Sequence, residues 1–284
     1  TNYMDKYVEH KNTLASNLAH NIQANVFNMR VRKHETTLDA SLFDLNISTD
    51  VFYNLINTFK KNIPVWHRYF DIRRKALGLK KFAYYDIWAP IEKKKVKIPY
   101  DKAVDLICEG LAPLGKEYVS IVRRACTTER WVDVYPNQGK GHGAFSSGAY
   151  GTHPFIMMSY TDEMVSMSTL AHELGHSMHT YFTNKTQPFI NTDYSLFVAE
   201  VASNFNQALL RGHLLNTVKD KNFQIALILE AVGSNMFRYF FQMPTLARFE
   251  LETHQRAERG EPLTADSMID LMADLFAEGF GPHF

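Results

Sequence analysis

The feature that most restricts the fold is a pair of histidines four residues apart with a glutamate directly after the first: His172-Glu173-Leu174-Gly175-His176. The residues around them, 169–179, are largely apolar and read as helix. Residues four apart on a helix share a face, so both imidazoles can address one metal ion. Neutral imidazoles at that spacing suit zinc and leave positions for a third protein ligand and a water. Glu173 is badly placed to be that ligand and well placed to take a proton from the water such a metal holds.

The best candidate for the third ligand is Glu200, 24 residues beyond His176. The loop at 183–192 lets the following helix return antiparallel. On that helix Phe197, Val201, Phe205 and Leu209 repeat at a spacing of four, while Glu200, Ser203, Asn204, Gln207 and Arg211 occupy a different stripe. A polar stripe on an otherwise apolar helix either faces solvent or lines a site. A two-histidine site that needs a ligand favours the second for Glu200. Ser203, Asn204 and Gln207 are then within reach to orient the ligands, against an ordinary structural role for each. His179 lies one turn beyond His176 on the same face and is read as a packing or supporting residue. As a fourth protein ligand it would close the site and make the zinc structural. Two classes of function therefore compete: a water-activating hydrolase, and a non-catalytic helical module or inactive fragment braced by zinc.

The rest of the chain is consistent with a mainly helical protein. Residues 1–80 carry helical stripes, first Tyr3, Tyr7, Leu14, Leu18, Ile22 and Val26, then a helix capped near Thr49 with Phe52, Leu55, Ile56 and Phe59. The lysine-rich stretch 90–99 is a loop or weak boundary, and helix resumes at Tyr100. Two strands are expected, at 131–135 and 155–158, joined by the glycine-rich connection Gly139-Lys140-Gly141-His142-Gly143-Ala144-Phe145. That connection lacks the spacing and terminal Lys-Ser/Thr of a phosphate loop. Helix dominates again from Asp162, with an end marked by residues 259–262.

Composition narrows the partners. A formal net charge of +1 over 284 residues gives no sign of a nucleic-acid or membrane-surface partner. Both short basic clusters, Arg30-Val31-Arg32-Lys33 and Lys93-Lys94-Lys95, read as solvated faces. No apolar run is long enough for a membrane span, and no signal peptide is visible. Two cysteines, Cys108 and Cys126, fit free thiols in a reducing compartment, so a cytoplasmic location is expected. The chain begins at Thr1, inside a helical pattern and without an initiator methionine, which reads as a fragment.

The chain resembles the oligoendopeptidase F branch of the thimet-oligopeptidase-like zinc metallopeptidases. The resemblance is carried by residues 169–179, by Phe197-Val198-Ala199-Glu200-Val201-Ala202-Ser203 and by Gly143-Ala144-Phe145. Leu14-Ala15, Arg30-Val31-Arg32 and the stretch from Phe249-Glu250-Leu251-Glu252 to Leu263-Thr264-Ala265 add to it. It implies a mainly α, zincin-type catalytic region: helices with a small β-sheet next to the His-Glu-x-x-His helix. It further implies one Zn2+ per chain on His172, His176 and Glu200, with Glu173 as the base, and cleavage of internal bonds in short peptides. The segment Gly143, Ala144, Phe145 and the strand near Phe155 resemble the part that holds the substrate backbone. Neighbouring His142 is a weaker candidate there, placed only by its position in the glycine-rich connection. An extended peptide can add to an exposed strand in this way.

By this resemblance residues 1–90 form a helical region and 91–284 the zinc-binding region of one contiguous catalytic domain, truncated at both ends. Family members are considerably longer. Their histidine- and tyrosine-containing segments, which donate hydrogen bonds to the tetrahedral intermediate, are expected beyond Phe284. Losing one such donor costs about 10²–10³ in rate, so this chain alone is expected to bind zinc and hydrolyse peptides slowly. Gln207 also departs from the family pattern, standing where a glutamate is expected.

Overall fold

The motif segment holds no proline and no run of β-branched residues, and it forms one unbroken helix, α7 (Met164–Thr186). The computed structural model to which it belongs describes residues 3–91 and 95–284. Its contacts divide the chain into two compact units, one of residues 92–234 and one of 1–91 together with 235–284. The sequence placed a boundary at 90/91 and grouped 235–284 with the zinc motif; in the structure those last residues count with the N-terminal segment.

In the unit of residues 92–234, α7 is the central element. Met167, Leu170, Ala171, Leu174 and Met178 are buried along it. Pro188 follows its end, a 3-10 turn spans Phe189–Asn191, and α8 (Leu196–Thr217) returns antiparallel against it. The two helices come close because Gly175 faces α8. A Cβ there would lie 2.6 Å from the Ala202 carbonyl oxygen and 2.6 Å from the Ser203 Cα. Helices α5 (Tyr100–Gly110), α6 (Lys116–Cys126) and α9 (Lys221–Glu230) close the core with Ala103, Ile107, Val122, Ala125 and Leu227. Each large apolar side chain buried in this way contributes roughly 1.5–3 kcal/mol.

A three-stranded sheet adjoins α7, with β1 (Val132–Asp133), β2 (Phe145–Ser147) and β3 (Phe155–Met157) in the order β1-β3-β2. β1 runs parallel to β3 and β2 antiparallel to it, with Ser146 opposite Ile156. Two of these strands lie where the sequence places them. β2 corrects the expectation that Phe145 belongs to the connection: at three residues it is too short to show an alternation.

The other unit contains α1 (Tyr3–Glu9), α2 (Lys11–Val31), α3 (Thr37–Phe43), α4 (Thr49–Ala76), α10 (Met243–Glu258) and α11 (Ala265–Phe280). α4 is capped by Ser48, whose side chain accepts from the Asp50 amide, one residue before the expected Thr49. Its buried face meets an aromatic cluster. Phe70 lies 4.6 Å from Phe280 and 5.1 Å from Phe241 between ring centroids, and the Trp66 indole donates to the Phe240 carbonyl at 2.9 Å. On α2 the expected stripe is buried only at Ile22 and Val26, joined by Met29. Tyr3, Tyr7, Leu14 and Leu18 are exposed, since periodicity marks a face without saying how far its cover extends.

The first basic cluster is solvated, as expected. Lys93 and Lys94 lie outside the described residues, and Lys95 pairs with Glu163 at 2.9 Å. No helix among the described residues is long and apolar enough to cross a membrane. Cys108 and Cys126 are both free and buried.

Candidate metal centre

α7 and α8 bring three donor atoms to one point. His172 Nε2 lies 3.2 Å from His176 Nε2 and 3.4 Å from Glu200 Oε2, and His176 Nε2 lies 3.8 Å from the same oxygen. Among the described residues these three form the one group of histidine, cysteine and carboxylate side chains able to hold a metal ion. The separations can be tested against zinc. Tetrahedral ligands at roughly 2.0–2.1 Å from the ion stand about 3.3 Å from one another, which the 3.2 and 3.4 Å pairs match and the 3.8 Å pair exceeds by about half an ångström.

The protonation of the histidines agrees with that fit. With Gln207 Oε1 as the acceptor, the 3.0 Å contact with His172 Nδ1 places a ring proton on Nδ1. Burial lowers the pKa of His176, and neighbouring His172 lowers it further, against the opposing pull of Glu200. Donor atoms at these separations are held together by a cation or by a shared proton. The donor set, two nitrogens and an oxygen, is one that zinc takes.

Glu200 is held from its own helix. Its Oε2 accepts from Ser203 Oγ at 2.9 Å and from Asn204 Nδ2 at 3.4 Å. The polar stripe of α8 thus lines the site, and Ser203, Asn204 and Gln207 each touch a donor residue. Phe197, Val201 and Phe205 are exposed instead, at 71%, 59% and 53%. His179 stays outside the donor group, stacked on Tyr194 with 4.0 Å between ring centroids.

Glu173 is buried beside the donor group and does not belong to it. Burial pushes its pKa up to about 7, with a further rise from the Glu200 charge and an opposing hydrogen bond from the Ser146 backbone. Ser146 belongs to β2, and its hydroxyl lies 2.7 Å from that of Ser177 on α7. The sheet therefore reaches the site through β2. Of the expected substrate-side residues, Phe145 is in β2, Ala144 and Gly143 precede it, and His142 is exposed in the connection. Gly143 takes a φ of +100°, where a side chain would be strained. Ser146, Ser177 and Ser168, whose hydroxyl accepts from Gln207 Nε2 at 2.8 Å, had no sequence signal, because serine is common and their contacts cross between elements.

A helix bearing His-Glu-x-x-His, faced by a carboxylate from an antiparallel helix and flanked by a small sheet, is the zincin-type arrangement. A family model, Peptidase family M3, matches residues 1–283, and the chain belongs to that family. Oligopeptidase PepF of Bacillus subtilis is 40% identical over 279 residues, covering 97% of this chain and 41% of its own length. An oligoendopeptidase F homolog of Borreliella burgdorferi is 37% identical over 282 residues, covering 99% and 48%. The solved structure of oligoendopeptidase-F from Enterococcus faecium has a TM-score of 0.71 at 26% identity, covering 98% of this chain and 42% of that one. The chain spans about half the length of the curated relatives it matches.

Proposed function

We propose that this chain carries the catalytic zinc centre of a metalloendopeptidase that hydrolyses internal bonds of short peptides. The observation that supports it most directly is the convergence of His172 Nε2, His176 Nε2 and Glu200 Oε2 beside a buried carboxylate that is not itself a donor. In this reading His172, His176 and Glu200 hold one zinc ion. Zinc, when bound, supplies Lewis acidity: it acidifies water and draws off negative charge developing on a polarised carbonyl.

Glu173 moves the proton. Its carboxylate accepts one from the attacking water and returns it to the leaving amine, and a proton affinity near neutrality suits both transfers. β2, at the sheet edge, offers backbone groups to an extended peptide, with Gly143, Ala144 and Phe145 as its lining and His142 beside them. The names of the relatives, oligopeptidase and oligoendopeptidase, favour short substrates.

The test is cleavage of an internally quenched short peptide by zinc-loaded protein, with Glu173→Gln as the control. Turnover lost in the variant while one zinc per chain stays bound is the expected result. Turnover that survives in the variant, or protein that takes up no zinc, overturns the reading. Zinc uptake without any turnover removes the peptidase reading for this chain by itself.

A further inference from the structure

Serine is a poor choice for the middle of a buried helix: it forms helix less readily than alanine, and its hydroxyl loses water on burial. Ser177 lies well inside α7 and is wholly buried, and its hydroxyl meets that of Ser146 on β2 at 2.7 Å. This contact is one of a series. Glu173, Ser177, Thr180 and Asn184 fall at spacings of four, three and four, a single face of α7. Beyond β2 the chain follows that face. A Cβ on Gly148 would lie 2.9 Å from Thr180 Cγ2, and Asn184 Nδ2 donates to the Ala149 carbonyl at 3.4 Å. Residues 146–149 thus run along the stripe of α7 that begins at Glu173.

The register of the sheet shows where Ser146 turns its backbone. The N–H and C=O of one residue in a strand point to the same edge, and successive residues alternate. Ile156 N–H donates to the Trp131 carbonyl at 2.8 Å and Met158 N–H to the Asp133 carbonyl at 3.1 Å, both on the β1 side of β3. Phe155 and Met157 therefore turn toward β2, where they face Ser147 and Phe145. Ser146 stands opposite Ile156, so its own N–H and C=O point away from β3, to the outer edge of β2. Of the three residues of β2 it is the one with main-chain groups to offer an incoming strand. Its side chain is tied to α7 one turn beyond Glu173.

We propose that Ser177 is a positioning residue for the peptide substrate: by holding Ser146 it keeps the outer edge of β2, where Ser146 N–H and C=O pair with the peptide main chain, at the height of Glu173. The proposal deepens the peptidase reading above and rests on it, but its first readout needs neither metal nor turnover. In metal-free protein, hydrogen exchange is followed at single amides. Ser177→Ala is expected to speed exchange at Phe145 and Ser147, which face β3, by about 3-fold or more, while Ile156 and Met158 exchange as in wild type. Ser146→Ala removes the same bond from the strand side, and it stands in if Ser177→Ala fails to fold.

The second readout is peptide affinity. Zinc-loaded Glu173→Gln protein, whose amide cannot take the proton, is titrated into a dye-labelled short peptide with blocked ends and followed by anisotropy. Adding Ser177→Ala is expected to weaken binding about 3–10-fold, while zinc affinity by chelator competition stays within about 2-fold of the parent. In the Ser146→Ala background the same substitution is expected to change peptide affinity less than about 2-fold, since the partner through which Ser177 acts is gone. A merely structural role for Ser177 would give the same loss in both backgrounds, or would weaken zinc and peptide together. Unchanged exchange in β2, equal losses in the two backgrounds, or a peptide that binds the parent no better than the Ser177→Ala protein overturns the proposal. Parent protein that takes up no zinc refutes the metal reading, and the exchange result then decides separately whether Ser177 holds the strand.

Discussion

Replacing Gly175 by alanine sets two ordinary effects against each other. In a helix interior alanine is favoured over glycine by about 1 kcal/mol, because it restricts the unfolded chain and fits the helical backbone. At Gly175 the added methyl would sit 2.6 Å from the Ala202 carbonyl oxygen, 2.6 Å from the Ser203 Cα and 2.9 Å from the Ala202 carbonyl carbon. Carbon atoms in contact stand about 3.5–4.0 Å apart, so α8 must withdraw by roughly an ångström. All three obstacles are backbone, and no rotamer change relieves them. Overpacking of this kind costs about 1–3 kcal/mol, and with rigid backbone on the far side the upper end applies. The expected net change is about 1–2 kcal/mol of destabilisation. Withdrawal of α8 would also carry Glu200 away from the two imidazoles and weaken zinc binding. Gly212 on α8 provides the control, since a Cβ there meets nothing within 4 Å. Gly212→Ala is expected to stabilise by about 0.5–1 kcal/mol. Both variants are compared with wild type by urea denaturation in excess chelator, so that metal binding does not enter. If Gly175→Ala stabilises the metal-free protein as Gly212→Ala does, the close contact between α7 and α8 is wrong.

Three further outcomes follow from named contacts. Glu173 has a folded-state pKa of about 7 against an ordinary 4.5. Its protonated form therefore favours folding: the contribution is full below pH 4.5 and is lost as pH rises through 7, about 3 kcal/mol in all. Metal-free wild type should thus lose stability relative to Glu173→Gln between pH 5 and pH 8. A difference that is the same at both pH values would show that the side chain is not buried as described. Zinc at 1,000 times its dissociation constant should stabilise the folded chain by about 4 kcal/mol. Calorimetry should show that increment raising Tm in wild type and absent in His176→Ala. Phe70→Ala removes a ring packed against Phe241 and Phe280. It should cost about 3–5 kcal/mol in urea denaturation, and a loss below 1 kcal/mol would mean that the aromatic cluster collapses around the gap.

How much of this was legible in the sequence depended on whether a signal lay within one element. His172, Glu173 and His176 share a helix, and helical spacing alone puts the two imidazoles on one side. Glu200 required a partner helix, and the clue was a polar stripe on an apolar background. Periodicity separates two faces without saying which is covered, and α8 shows the consequence: Val201 and Phe205 lie outward while Ser203 and Gln207 are buried. β2 was missed because three residues after a glycine carry no alternation. Glu230 gave no signal at all, since a carboxylate near the end of a helix is ordinary until the structure shows it buried against Arg211.

The inverted burial of α8 explains how the centre keeps its register. The glycine contact already opposes a slip of one turn, because a residue with a Cβ in the place of Gly175 would meet the backbone of α8. Directional bonds oppose it as well. Asn206 donates to the Ala171 carbonyl at 3.3 Å and its amide oxygen accepts from the Tyr118 hydroxyl at 3.1 Å, while Gln207 spans Ser168 and His172. A slip of one turn would leave these buried groups unpaired, at about 1–3 kcal/mol each. Glu200 lies two turns before Gln207 on α8, so the bonds that align Gln207 with α7 also set the height of the carboxylate opposite the histidine pair. Burying a polar face adds little net stability once its desolvation is counted. Here it selects one alignment of two helices, the one in which three donor atoms meet.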